Sequence, residues 1–218
     1  MSDLSYSIDF DRKRRLGFPE VIFGRSKSVD QLTAIFHHFK ENGHSALATK
    51  VQSVKADELK KVFPNAFYDL ESEIFGLNLV ETELEKKDVA IVSGGTSDSF
   101  VVNEIYYTLM YLGIGSERIM DVGVSGLHRL LDRLDSLRSY KVIIAVAGFE
   151  AALPTVLGGL LPQPIIGVPT SVGYGVSEGG QVALNSLLAS CANGITVVNI
   201  DNGYGAAIAA FRILKTHV

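Results

Sequence analysis

One thiol and two carboxylates are the side chains of this sequence best suited to making and breaking bonds. The thiol is Cys191, the single cysteine of the chain. Once ionised, a thiol is a nucleophile. The carboxylates are Asp98, which closes the run Ser93-Gly94-Gly95-Thr96-Ser97-Asp98, and Glu150, which follows Gly148 in the apolar stretch IIAVAGFEAALP. Carboxylates in such surroundings can move protons. Each also has a plainer reading. Asp98 is suited to cap a helix N-terminus, and Glu150 to answer a helix dipole. Cys191 ends the apolar segment VALNSLLASC, just before Asn193-Gly194. On residue type alone it reads as a small buried hydrophobe, because a helix C-terminus disfavours a thiolate.

Further polar and glycine-rich runs recur at intervals. They are Ser125-Gly126-Leu127-His128-Arg129, Ala147-Gly148-Phe149-Glu150, Pro169-Thr170-Ser171 continuing to Gly175, and Asp201-Asn202-Gly203 continuing to Gly205. Glycine lets backbone N–H groups approach a ligand, and a helix N-terminus that follows favours an anion. Gly94, Gly95, Thr96, Ser97, Ser125, Gly148, Pro169, Thr170, Ser171, Asp201, Asn202 and Gly203 are therefore candidate substrate contacts. His128 and Arg129 are suited to a phosphate or carboxylate, or else they form an ordinary exposed helix start. No GxGxxG or Walker A motif is present, so neither of those nucleotide sites is expected.

These loops need a scaffold, and the apolar runs supply it. Val89–Val92, Ile119–Val124, Val142–Val146, Ile165–Val168 and Ile195–Ile200 read as strands buried on both faces. Between and after them, Asp98–Leu112, Leu127–Leu137, Ala151–Leu160, Gln181–Ala189 and Tyr204–Leu214 read as helices. Alternation of this kind predicts an α/β fold, a doubly wound parallel sheet covered on both sides. Ligands bind such a sheet beyond the carboxyl ends of its strands, where the glycine-rich runs fall.

Charge divides the chain. Residues 1–87 carry 13 of the 20 Lys/Arg but 4 of the 21 glycines. The expected domains are a smaller N-terminal α/β region, 1–87, and a catalytic domain, 88–218, joined near the charged stretch Glu83–Asp88. In the first part, Val21–Phe23, Ala46–Val51 and Tyr68–Leu79 read as strands. Ser28 and Gln31 form a capping box for a helix through Lys40, and Asp57–Val62 reads as a short helix. The basic run Arg12–Arg15 is either a solvated face or a phosphate contact that closes over the ligand.

Composition excludes several classes. A net charge of −4 argues against a grip on nucleic acid or an anionic membrane. No apolar run reaches the ~18 residues of a membrane span, and MSDLSYSIDFDRKRR lacks the apolar stretch of a signal peptide. One cysteine without an intramolecular partner suits a reducing compartment. A soluble cytoplasmic enzyme is expected.

The segments VSGGTSDSFV, DVGVSGLHRLLDRL, VIIAVAGFEAALPTVLGGL, PIIGVPTSVGYGVSEGG and LLASCANGITVVNIDNGYGAA resemble the LarB family, and so does the opening DFDRKRRLGFPEVIFGRSKSVDQL. The resemblance covers nearly the whole chain. It implies a pyridinium-3,5-biscarboxylic acid mononucleotide synthase, the first enzyme of nickel-pincer nucleotide synthesis for lactate racemase. Such an enzyme carboxylates the pyridinium ring of nicotinic acid adenine dinucleotide at C5 with CO2 or bicarbonate. It also hydrolyses the pyrophosphate, releasing AMP. The resemblance further implies a PurE-like C-terminal domain and an octamer. It gives Cys191 the nucleophile's role and makes Asp98 and Glu150 the candidates for proton transfer, undivided between them. No tightly bound cofactor and no metal ligands are assigned. Mg2+ is the ion that commonly neutralises a pyrophosphate, and the sequence leaves its part here open.

Two other readings compete. A purine-pathway aminoimidazole ribonucleotide carboxylase carries a histidine in an AAHLPG-like segment. Here that segment is Ala151-Ala152-Leu153-Pro154-Thr155, and His128-Arg129 is followed by Leu130-Leu131 rather than Thr-Pro. A non-catalytic dinucleotide-binding module would bind without turnover.

Overall fold

The computed structural model describes residues 8–79 and 84–215. The first seven residues, read above as lacking a signal sequence, and Glu83 of the expected linker lie outside the described residues. The chain divides into two compact units, Met1–Glu81 and Thr82–Val218.

The N-terminal unit runs α1 (Arg12–Leu16), β1 (Ile22–Phe23), α2 (Val29–Glu41), β2 (Ala46–Thr49), α3 (Ser53–Val62), β3 (Phe67–Asp69) and β4 (Ile74–Leu77). Its sheet has the order β1-β2-β4-β3, with β1 parallel to β2 and the other pairs antiparallel. The predicted capping box is present: Gln31 N–H donates to the Ser28 hydroxyl, and Ser28 N–H donates to the Gln31 side chain. Residues 68–79 do not form the single strand expected. Tyr68 and Phe75 are paired across a β3–β4 hairpin, whose turn includes Glu73 at φ 55°. The alternating pattern is genuine, but a hairpin alternates on both arms, and no Gly or Pro marks the turn. Phe36, Phe63 and Phe75 cluster in the core, and Phe36 and Phe75 are fully buried.

The C-terminal unit runs β5 (Lys87–Ser93), α4 (Ser99–Tyr111), β6 (Gly115–Ile119), α5 (Leu127–Leu131), α6 (Leu134–Leu137), β7 (Val142–Ala147), α7 (Ala152–Leu160), β8 (Ile165–Pro169), α8 (Gln181–Leu188), β9 (Ile195–Val197) and α9 (Gly203–Lys215). Its five strands are all parallel, in the order β6-β5-β7-β8-β9. The three central strands are buried at nearly every position. Each fully buried Val or Ile contributes about 1.5–3 kcal/mol, which is why these strands read as unbroken apolar runs. Helices α4 and α9 cover one face. Leu130 of α5, Leu153 and Leu157 of α7, and Ala183 and Leu187 of α8 pack on the other. Among the described residues, no helix is long and apolar enough to cross a membrane.

Four expected elements shift, and one of them, the strand expected buried on both faces over Ile195–Ile200, ends at Val197 and lies half-exposed at the sheet edge. The second strand is Gly115–Ile119, not Ile119–Val124. As an edge strand it carries the half-buried Ser116 and Glu117 and the exposed Arg118, so it lacks the apolar signature. The helix expected over 127–137 is two short helices with a break at Asp132–Arg133. The helix expected to reach Cys191 ends at Leu188, leaving the cysteine in the connection to β9.

Candidate functional site

In this strand order the chain reverses its winding between β5 and β7, the first and third strands of the sheet. A crevice opens at such a switch point, beyond the carboxyl ends of the strands. A cavity of about 390 Å³ lies there, lined by the loops after β5, β6, β7 and β8. That is within the usual range for a small-molecule site.

Two close backbone approaches build it. A Cβ on Gly123 would meet the Gly94 carbonyl oxygen at 2.6 Å, so glycine there lets the loops after β5 and β6 touch. A Cβ on Gly148 would lie 2.3 Å from the Val172 carbonyl oxygen and 2.8 Å from Thr170 Oγ1. The loop after β7 also holds Phe149 at φ 52° and Ala151 at φ 48°, in the left-handed region that non-glycine residues rarely adopt. Phe149 N–H donates to the Val172 carbonyl at 2.9 Å, which fastens this turn to the loop after β8.

Both candidate carboxylates reach the cavity. Asp98 is 4% exposed, at the N-cap position of α4. It makes no side-chain cap bond to that helix. Instead, the Thr170 hydroxyl donates to its Oδ1 at 2.7 Å and Gly95 N–H to its Oδ2 at 3.3 Å. Burial pushes its pKa up, partly opposed by these two bonds, and nearby Asp201 raises it further. Glu150 is exposed, just before the start of α7. Among the described residues of one chain, the lining includes these two carboxylates and no Lys, Arg or His.

The other expected contacts separate into groups. Gly94, Gly95, Ser97, Ser125 and Gly148 line the cavity. Thr96 is exposed beside it without lining it. Arg129 pairs with Asp121, and His128 is exposed; neither lines the cavity. Pro169 and Thr170 are buried behind it. Ser171 N–H donates to Asp201 Oδ1 at 2.8 Å, Asn202 accepts from Gly205 N–H, and Gly203 N–H donates to the buried Glu104. The loop after β9 therefore braces the loop after β8. In the N-terminal unit, Arg14 and Arg15 pair with Asp11, and Arg15 also with Asp9. Sequence reasoning missed Gly123, Phe149 and Val172. Phe149, an aromatic between Gly148 and Glu150, carried the clearest overlooked signal.

Cys191 is exposed in the single chain, in the connection between α8 and β9. It does not line the cavity of its own chain. The neighbouring Ser190 hydroxyl lies 2.7 Å from that of Thr155, one turn into α7. Among the described residues, no group of three or more His, Cys, Asp or Glu side chains is placed to hold a metal ion.

The strand order, the switch-point crevice and the short glycine loops define a doubly wound α/β domain with a small-molecule site at its switch point. Residues 88–218 match the AIR carboxylase family, and residues 2–79 match the LarB/PurE-like N-terminal domain. The chain belongs to the LarB family, with a PurE-like C-terminal domain. An uncharacterized protein of Methanocaldococcus jannaschii is 37% identical over 95% of this chain and 83% of its own length. The N5-carboxyaminoimidazole ribonucleotide mutase of Pyrococcus horikoshii is 33% identical over 62% of this chain and 77% of its own. The crystal structure of Treponema denticola PurE aligns with a TM-score of 0.51 and 23% identity, over 60% of this chain and 81% of that one. That last likeness bears on the fold.

Proposed function

We propose that this protein carboxylates the pyridinium ring of nicotinic acid adenine dinucleotide at C5 and hydrolyses the pyrophosphate, releasing AMP. This is the first step of nickel-pincer nucleotide synthesis. The observation that carries the proposal is the charge of the cavity. Among the described residues of one chain, two carboxylates and no basic side chain line it, which suits a cationic ring better than a phosphate.

A pyridinium C5 is electron-poor and does not attack CO2. In the proposed route the Cys191 thiolate adds to the ring carbon beside C5, consuming the ring's positive charge and leaving an enamine. The enamine carbon C5 then attacks CO2 and forms the new C–C bond. Asp98 or Glu150 takes the C5 proton, the C–S bond breaks with its electron pair returning to sulfur, and the aromatic ring is restored. Covalent catalysis thereby divides one unfavourable step into easier ones. Water cleaves the phosphoanhydride separately. Any Mg2+ would be held chiefly by the substrate's own phosphates.

The exposed thiol outside its own chain's cavity supports a site completed by a second copy, within a homo-octamer. Cytoplasmic location belongs to the same reading. The test is incubation with the dinucleotide and labelled bicarbonate, read by mass spectrometry. Label on the pyridine ring together with free AMP is expected, and the absence of both products would overturn the reading.

The 33% identity to a ribonucleotide mutase favours a second reading, a purine-pathway carboxylase. Against it, Ala151–Thr155 lacks the histidine expected of that activity. Turnover of aminoimidazole ribonucleotide would support it, and binding of the dinucleotide without turnover would favour the non-catalytic module.

A further inference from the structure

Thr170 was expected to touch substrate, yet it is fully buried. It sits directly after β8, with its N–H donating to the Ala147 carbonyl at 3.0 Å. Its hydroxyl donates to Asp98 Oδ1 at 2.7 Å, across 72 residues of sequence. Two glycines make room for this residue. A Cβ on Gly148 would come within 2.8 Å of the Thr170 hydroxyl, and one on Gly180 within 2.6 Å of the Thr170 carbonyl oxygen. The adjoining Ser171 N–H is held by Asp201 Oδ1, while Asp201 N–H donates to the Pro169 carbonyl at 3.0 Å. Asp201 thus clasps the segment 169–171 from both sides.

We infer that Thr170 and Asp201 are positioning residues for Asp98. The Thr170 hydroxyl fixes one carboxylate oxygen, leaving the other to the Gly95 N–H and the cavity, and Asp201 holds the segment that presents this hydroxyl. The pair also acts on protonation in opposite senses. A hydroxyl that donates to a carboxylate favours its charged form, while a neighbouring carboxylate disfavours it. The charged group that acts on Asp98 is Asp201, from the turn before α9, while Glu150 lines the same cavity.

Infrared titration of the intact protein tests this without substrate. The band to follow is the protonated-carboxyl band that Asp98→Asn removes. In Thr170→Val its midpoint should move to higher pH. Thr170→Ser, which keeps the hydroxyl, should restore the wild-type midpoint. In Asp201→Asn, which keeps an acceptor for Ser171 N–H but loses the charge, it should move to lower pH. The kinetic counterpart rests on the proposed carboxylation with Asp98 as base. There, Thr170→Val should shift the acid limb of kcat upward with KM little changed. Midpoints that coincide in wild type, Thr170→Val and Asp201→Asn would overturn the inference. Variants that show these infrared shifts, alongside a wild type that adds no label to the dinucleotide, would overturn the proposed reaction and leave the inference standing. If Thr170→Val does not fold, Thr170→Ser and Asp201→Asn decide the matter alone.

Discussion

The hydroxyls of Thr155 and Ser190 lie 2.7 Å apart, joining α7 to the connection that carries Cys191. Ser190 Oγ also accepts from Ala192 N–H, so hydrogen bonds flank the cysteine. The thiol between them is exposed. A structural cysteine would ordinarily be buried, whereas here a hydrogen-bonded segment presents the thiol outward, as the proposed nucleophilic role requires.

Cys191→Ser should therefore abolish ring carboxylation and leave the fold and oligomer intact. Serine is close in size but far less ionised near neutral pH. Labelled-bicarbonate incorporation and light scattering measure the two halves of this claim. Mixed oligomers of Cys191→Ser and Glu150→Gln chains should regain part of the activity if a second copy supplies the thiol. NAD, with an amide in place of the ring carboxylate, should trap an adduct visible as a new absorbance band. Full activity in Cys191→Ser would end the covalent route.

Asp98→Asn and Glu150→Gln should each lower turnover by about 10²-fold or more, the usual scale for a lost acid or base. Binding should survive, because the amides keep the shape. Isothermal titration alongside steady-state rates separates the two effects. Normal rates in both variants would remove the carboxylates from the mechanism.

Asp98 also makes stability depend on pH. Burial raises its pKa in the folded chain above the ordinary 3.8. Its contribution is therefore fully present below that value and is lost as pH rises through the raised folded value. Asp98→Asn does not suffer this loss. Its Tm relative to wild type should rise as the pH is taken from about 4 toward neutral, even as activity falls. A calorimetric pH series checks this, and a relative gain by the wild type over that range would contradict it.

Gly148→Ala should destabilise the fold by roughly 1–3 kcal/mol or more, the cost of overpacking a filled site. The new Cβ would sit 2.3 Å from the Val172 carbonyl oxygen, so backbone must move. Denaturant midpoints measure the loss. Because the displaced loop carries Glu150, turnover should fall further than stability alone explains.

A chain starting near residue 84 should lose turnover even where it folds, because the family match extends over both domains and not the carboxylase-like one alone. Circular dichroism establishes folding and AMP release reports activity. Full activity in the folded truncation would assign the N-terminal unit another role.

The sequence by itself determined the parallel sheet, because strands buried on both faces must be apolar throughout, as Val142–Val146 is. It also marked Asp98, Glu150 and the glycine loops, since sharp turns and close backbone approach restrict residue type. It misread elements whose surroundings differ from that rule. The edge strand Gly115–Ile119 carries three consecutive polar residues, Ser116, Glu117 and Arg118, and the hairpin at 67–77 carries no turn residue that announces it. Tertiary structure alone decided the partners. The bond from Thr170 to Asp98 spans 72 residues, and that from Ser171 to Asp201 spans 30. Local spacing cannot encode such pairs, because strand order sets which loops meet. The same cause moved Thr170 from substrate contact to buried support and left Cys191 outside its own chain's cavity. A residue's type and local pattern limit the chemistry it can do, while the packing of distant segments decides what it meets.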